Sequence, residues 1–134
     1  MLRSVATTPL RVRYSLRLLS YTRPAMNNDT PANQRTDGPA FTSMLASLQQ
    51  GFPAPSTIAV FNDSYKHAGH HGTADSQNKS ESHIRLEIVS GSFAGLNLPK
   101  RHRMVYKLLE PDMKQYDVHA VQLLTRTPEE AAKK

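Results

Sequence analysis

The sequence predicts an α+β domain with the element order αββαβα, on three observations. Apolar residues recur at helical spacing over residues 41–48. Two stretches alternate apolar and polar side chains on either side of a long His- and Gly-rich loop. A basic amphipathic run, a third strand-like run and a proline-started cap then follow one another over residues 101–130.

Phe41, Met44, Leu45 and Leu48 share one side of a helix of about ten residues, which Gly51, Pro53 and Pro55 stop. STIAVFND (residues 56–63) is rich in β-branched and alternating residues, as a strand is. The segment SYKHAGHHGTADSQNKSES (residues 64–82) reads as a long exposed loop. SHIRLEIVS (residues 82–90) puts Ile84, Leu86 and Ile88 on one face and His83, Arg85 and Glu87 on the other, a half-buried strand. His83 is read here as structural or merely exposed. With a loop and no crossover helix between them, the two strands are expected to pair as an antiparallel hairpin.

GSFAGLN is a turn, and Pro99 suits the first turn of a helix formed by RHRMVYKLLEP, which Pro111 is expected to interrupt. Met104, Val105, Leu108 and Leu109 make its apolar stripe. Asp117 leaves room for a short loop, VHAVQLL (residues 118–124) is a third strand, and Thr127-Pro128-Glu129-Glu130 is a capping box that opens a short terminal helix.

Ahead of residue 41 the composition changes. Residues 1–25 hold five arginines (Arg3, Arg11, Arg13, Arg17, Arg23), several Ser and Thr, no Lys, and no acid before Asp29. Leu10, Tyr14 and residues 16–19 supply an apolar side to an amphipathic helix, and arginines interrupt any continuous apolar core. This is the composition of a mitochondrial transit peptide rather than a secretory signal, with cleavage expected between Arg13 and Met26 and the mature protein in the matrix. MNNDTPANQRTDGPA (residues 26–40) is polar and rich in Asn and Pro, and reads as a disordered linker before a domain at 41–134.

Charge and composition exclude several functions. The net charge of +6 invites a nucleic-acid reading, yet residues 1–40 carry six Arg against two Asp, and the other 94 residues hold eleven Lys or Arg against nine acids. The folded part is therefore close to neutral, a weak footprint for a phosphate backbone. No apolar run approaches the roughly 20 residues of a membrane-spanning helix, so no membrane role is expected. There is no cysteine, so neither a disulfide nor a thiolate site can come from this chain, and any metal chemistry it contributes runs through imidazole. No nucleophile elbow, phosphate loop or HExxH motif is present, and the chain is not expected to be an enzyme.

NDSYKH, then SESH opening the second strand, then F-x-G with RHRMVY, then VHAV and TPEE, together resemble the BolA family in order and spacing. The resemblance covers residues 41–134. It implies a three-stranded mixed sheet with helices on one face, similar to a type II KH domain. It also implies a [2Fe-2S] cluster shared with a monothiol glutaredoxin and its glutathione, and help in delivering [4Fe-4S] clusters to client proteins in mitochondria. By that resemblance the ligands on this side are His119 of the VHA block and His67 of NDSYKH, with His70 and His71 as alternates because the loop is long. Read without it, His119 is an ordinary strand histidine, and the loop histidines are a solvated patch or an incidental zinc or nickel site.

Lys100, Arg101, His102 and Arg103 have three readings: a solvated helix start, a nucleic-acid patch, or a surface that meets glutaredoxin and glutathione. The last is favoured, because cations at a helix N-terminus oppose its dipole and add nothing to helix stability. A KH-like nucleic-acid regulator is the rival reading. It lacks the GXXG clamp, since Gly91 and Gly95 are too far apart. The free protein is expected to be a monomer or weak dimer.

Overall fold

The computed structural model describes residues 30–67 and 75–133. The transit-peptide reading and the alternates His70 and His71 lie outside these residues. The elements are α1 (Pro39–Gly51), β1 (Thr57–Asn62), β2 (His83–Val89), α2 (Leu98–Gln115), β3 (Ala120–Arg126) and α3 (Pro128–Ala132), in the expected αββαβα order.

The sheet runs β1-β2-β3. β1 and β2 form the expected antiparallel pair, from Thr57 opposite Val89 to Asn62 opposite Ile84. β2 and β3 are parallel, from His83 opposite Ala120 to Val89 opposite Arg126. α2 supplies the crossover that a parallel pair needs, so the sheet is mixed. Ile58, Val60, Ile84, Leu86, Ile88 and Val121 point to one face, where Phe41, Met44 and Leu48 of α1 and Val105 and Leu109 of α2 cover them. Phe52 and Phe93 close the far end of this core, their rings 5.1 Å apart. The opposite face carries the alternate residues of each strand, among them Arg85, Glu87, Gln122 and Leu124.

Two boundaries differ from the sequence reading. Residues 30–40 are not a disordered linker. The Asn62 amide donates to the Arg35 carbonyl at 2.7 Å, Thr36 is buried, and α1 already starts at Pro39. Gly38 offers no side-chain cap, and Glu81 takes that role from across the fold. Its carboxylate accepts the N–H of Phe41 at 2.9 Å and of Ala40 at 3.3 Å, satisfying donors that a helix start leaves open. A Cβ at residue 38 would meet that carboxylate, at the far end of the Glu81 side chain.

The second difference is α2, which does not stop at Pro111 but runs through it to Gln115. An interior proline removes one helix bond and costs about 3 kcal/mol. The turn after it is held by tertiary contacts instead: buried Asp112 accepts the Ser43 hydroxyl at 2.5 Å and the Ser47 hydroxyl at 2.7 Å, both from α1. At its start, Asn97 accepts the Lys100 N–H at 3.1 Å, and Pro99 sits in the first turn as expected. Among the described residues no helix is long and apolar enough to cross a membrane.

Candidate functional site

Three imidazoles meet where β2 begins. The chain leaves β1 into a short 3₁₀ turn, Ser64–His67, because the Asn62 side chain accepts the Ser64 N–H at 3.0 Å. Asp63 donates its N–H to the His83 carbonyl at 3.0 Å, and the His83 N–H donates to the Ser64 hydroxyl at 3.1 Å. The turn is therefore bonded on both sides to the first residue of β2, and His67 lies over it. The His67 and His83 rings stack with centroids 4.0 Å apart and planes 14° from parallel.

His119 arrives from the other direction. After α2 the chain passes through Asp117 at φ 52° and Val118, whose N–H donates to the Met113 carbonyl. The N–H groups of His119 and Ala120 then both donate to the Ser82 carbonyl, at 2.9 and 3.1 Å. This sets the His119 ring 6.4 Å from that of His83. His119 precedes β3 rather than lying within it, a correction to the sequence reading that follows from both N–H groups going to one carbonyl before the ladder starts.

The structure thus brings His67 and His119 to either side of His83, to which the sequence reading gave no role. Alternation did put His83 on the open face of β2. What it could not supply is the register of β2 against β3, which sets His119 beside it. A shallow depression alongside is lined by Asp63, Lys66, His67, His83, Ala120 and Gln122. Its carboxylate is already engaged: Lys66 and Arg85 pair with Asp63 at 2.9 and 3.1 Å. Burial pushes the Asp63 carboxyl up, and those two hydrogen bonds outweigh it, leaving the group below its ordinary value. On the other side, the Ser76 hydroxyl at 2.7 Å holds the Asp117 carboxyl below its usual range; burial opposes it, and the nearby His119 adds a lesser lowering effect.

Among the described residues no three His, Asp or Glu side chains could together hold a metal ion. What stands here is a group of three neighbouring imidazoles, His67 stacked on His83 and His119 beside it.

The basic cluster divides. Lys100 and Arg103 are exposed and His102 is half-buried, but Arg101 is only 7% exposed and cannot belong to a partner surface. Its guanidinium forms a two-pronged pair with Glu130 at 2.7 and 2.9 Å, donates to the Leu96 carbonyl at 2.8 Å, and lies over the Phe93 ring. The sequence reading missed this because Arg101 and Glu130 are far apart in the chain. Gly91 and Gly95 lie between β2 and α2 rather than between two helices, so no KH-type clamp forms there.

Residues 48–130 match the family model described as BolA-like protein. The chain is 39% identical over 80 residues to Protein BOLA1, chloroplastic, of Arabidopsis thaliana, covering 60% of this chain and 49% of that one. The solved structure of BolA1 from the same plant superposes with a TM-score of 0.54 at 34% identity, covering 79% of this chain and 98% of that one. UV-induced protein uvi31 of Schizosaccharomyces pombe is 41% identical over 76 residues, 56% of this chain and 74% of that one. The DNA-binding transcriptional regulator BolA of Haemophilus influenzae is 34% identical over 76 residues, 57% of this chain and 66% of that one. The chain thus spans about half the length of the Arabidopsis relative and three quarters of the yeast one.

Proposed function

Because the chain belongs to the BolA family, we propose that it is a non-enzymatic carrier that shares a [2Fe-2S] cluster with a monothiol glutaredoxin and helps deliver iron-sulfur clusters to client proteins. The observation that supports this reading is the gathering of imidazoles at the start of β2, where His67 stacks on His83 and His119 lies beside it. With no cysteine in the chain, the cluster is cargo held on this side by imidazole alone, with thiolates supplied by the glutaredoxin and its glutathione.

The ligand type suits handover. Neutral imidazole in place of thiolate removes negative charge from the iron and raises the cluster's potential, as at Rieske-type centres. A protonated ring cannot bind metal, so retention on this side weakens as the medium acidifies. The Arg-rich, acid-free composition of residues 1–25 supports a place in the mitochondrial matrix. Lys100, His102 and Arg103 remain available for the partner surface; Arg101 does not.

A regulator that binds nucleic acid is the second reading, favoured by the name of the Haemophilus relative. Against it stand the near-neutral charge beyond residue 40 and the withdrawal of Arg101 into the fold.

Mixing the full chain with a monothiol glutaredoxin, iron, sulfide and glutathione is expected to give a 1:1 complex whose visible circular dichroism differs from that of the glutaredoxin homodimer. His119→Ala should return the spectrum toward the homodimer form. An unchanged spectrum in that variant removes His119 from the ligand set. Absence of any mixed complex with the wild type, together with sub-micromolar sequence-selective DNA binding at physiological salt, would transfer the function to the second reading.

A further inference from the structure

The first residue of β2 contributes to the site in a way that neither its exposure nor its position in the strand accounts for. His83 lies between the two imidazoles assigned above, and both of its neighbours are fixed through the same dipeptide. The Ser82 carbonyl accepts the N–H groups of His119 and Ala120. The main chain of His83 bonds the turn that carries His67 on both its donor and acceptor sides. The His83 ring is itself held, since the Ser82 hydroxyl and His83 Nδ1 share a hydrogen bond of 2.9 Å. A near-parallel stack at 4.0 Å onto His67 follows from this arrangement.

We infer that His83 is a positioning residue, whose Ser82-anchored ring is the platform that fixes the orientation of the His67 imidazole. This rests on the reading of His67 and His119 as the imidazole donors. A metal-bound histidine is ordinarily oriented by a hydrogen bond to its second nitrogen, and losing such support costs roughly 10- to 100-fold in metal affinity. Here ring packing contributes that orientation, with Ser82 one step further back. The surroundings of the pair are Asp63 and Lys66 from the turn after β1, Arg85 further along β2, and Asp117 from the approach to β3.

The test uses the full chain with His83→Ala and His83→Phe, and two readouts. The first needs no metal: proton–carbon spectra of the histidine rings, in which the His67 ring protons lie in the field of the His83 ring. His83→Ala should move the His67 signals downfield, and His83→Phe, which keeps a stacking face without any nitrogen, should leave them shielded. The second readout is the rate at which the mixed complex loses its cluster to a chelator. His83→Ala should speed that loss roughly 10- to 100-fold, and His83→Phe should stay near the wild-type rate.

Unmoved His67 signals in His83→Ala, or an unchanged rate of cluster loss, would overturn the inference. So would loss of the cluster in His83→Phe to the extent seen in His119→Ala, because His83 would then be a ligand. If the wild-type chain forms no mixed complex, the carrier reading fails, and the metal-free spectra alone decide whether His83 positions His67.

Discussion

The two ends of β3 lie beside polar side chains that are put to opposite uses. At the end that leads into α3, Arg101 is surrounded by the Glu130 carboxylate, the Leu96 carbonyl and the Phe93 ring, and Thr127 and Glu130 cap α3 reciprocally. Arg101 and Glu130 are consumed by groups of the same chain, and the result is a closed clamp between β3, α2 and α3. At the end that follows α2, exposed His119 is tied down through its backbone, and its neighbours contribute ring faces, a serine hydroxyl and the Asp117 carboxylate. Polar groups that satisfy one another internally specify a fold, and donors held in place by main chain and packing retain capacity for a ligand.

The widest gap between the two ends should appear on removing the ring under Arg101. Phe93 is fully buried against Phe52, so Phe93→Ala should cost about 3–5 kcal/mol in urea unfolding. A cost below 1 kcal/mol would show that the clamp end is not packed as described. Next comes Thr127→Ala, which removes the hydroxyl that accepts the Glu130 N–H at 3.2 Å and should cost about 1 kcal/mol.

Acid unfolding separates the ends by a different route. Hydrogen bonds from Arg101, then from the Thr127 N–H, bring the Glu130 carboxyl from its ordinary 4.5 down to about 2, with burial opposing them. A carboxyl whose folded value is depressed adds stability that is complete above its ordinary value and disappears as pH falls toward the folded one. The stability difference between wild type and Glu130→Gln should therefore be constant above pH 4.5 and shrink between pH 4.5 and about 2. A difference independent of pH over that interval would break the comparison.

The smallest effect on folding belongs to the histidine end. His119 is exposed, so His119→Ala should change stability by no more than about 0.5 kcal/mol, measured by the same urea unfolding. Under the carrier role proposed above, the same substitution should return the spectrum of the mixed complex toward the homodimer form. A destabilisation like that of Phe93→Ala would mean that the imidazole is part of the fold rather than an exposed group outside it.

Much of this fold is legible in local pattern. Period-two alternation in β2, helical spacing in α1 and the capping box at Thr127 each depend on residues a few positions apart, and each appears where the sequence puts it. What was illegible depends on residues far apart. Pro111 reads as a stop because the compensation comes from Ser43 and Ser47, on another helix. Residues 30–38 read as linker because their carbonyls are met by Asn62, which no local rule anticipates. Arg101 reads as surface because its partner Glu130 follows a whole strand later. The site divides in the same way: His67 and His119 could be named from short blocks, but the place of His83 between them needs the parallel register of β2 and β3.

That register also governs when the donors become a pair. β2 and β3 are joined by the long α2 crossover, and the carbonyl that seats His119 belongs to Ser82, at the start of a strand made much earlier in the chain. Closing such a separation is a slow, entropically opposed event that local helices do not need. A chain still emerging from the ribosome carries His67 and His119 as strangers to each other. Under the carrier role proposed above, capture of a cluster through both of them is expected only after β2 and β3 have paired.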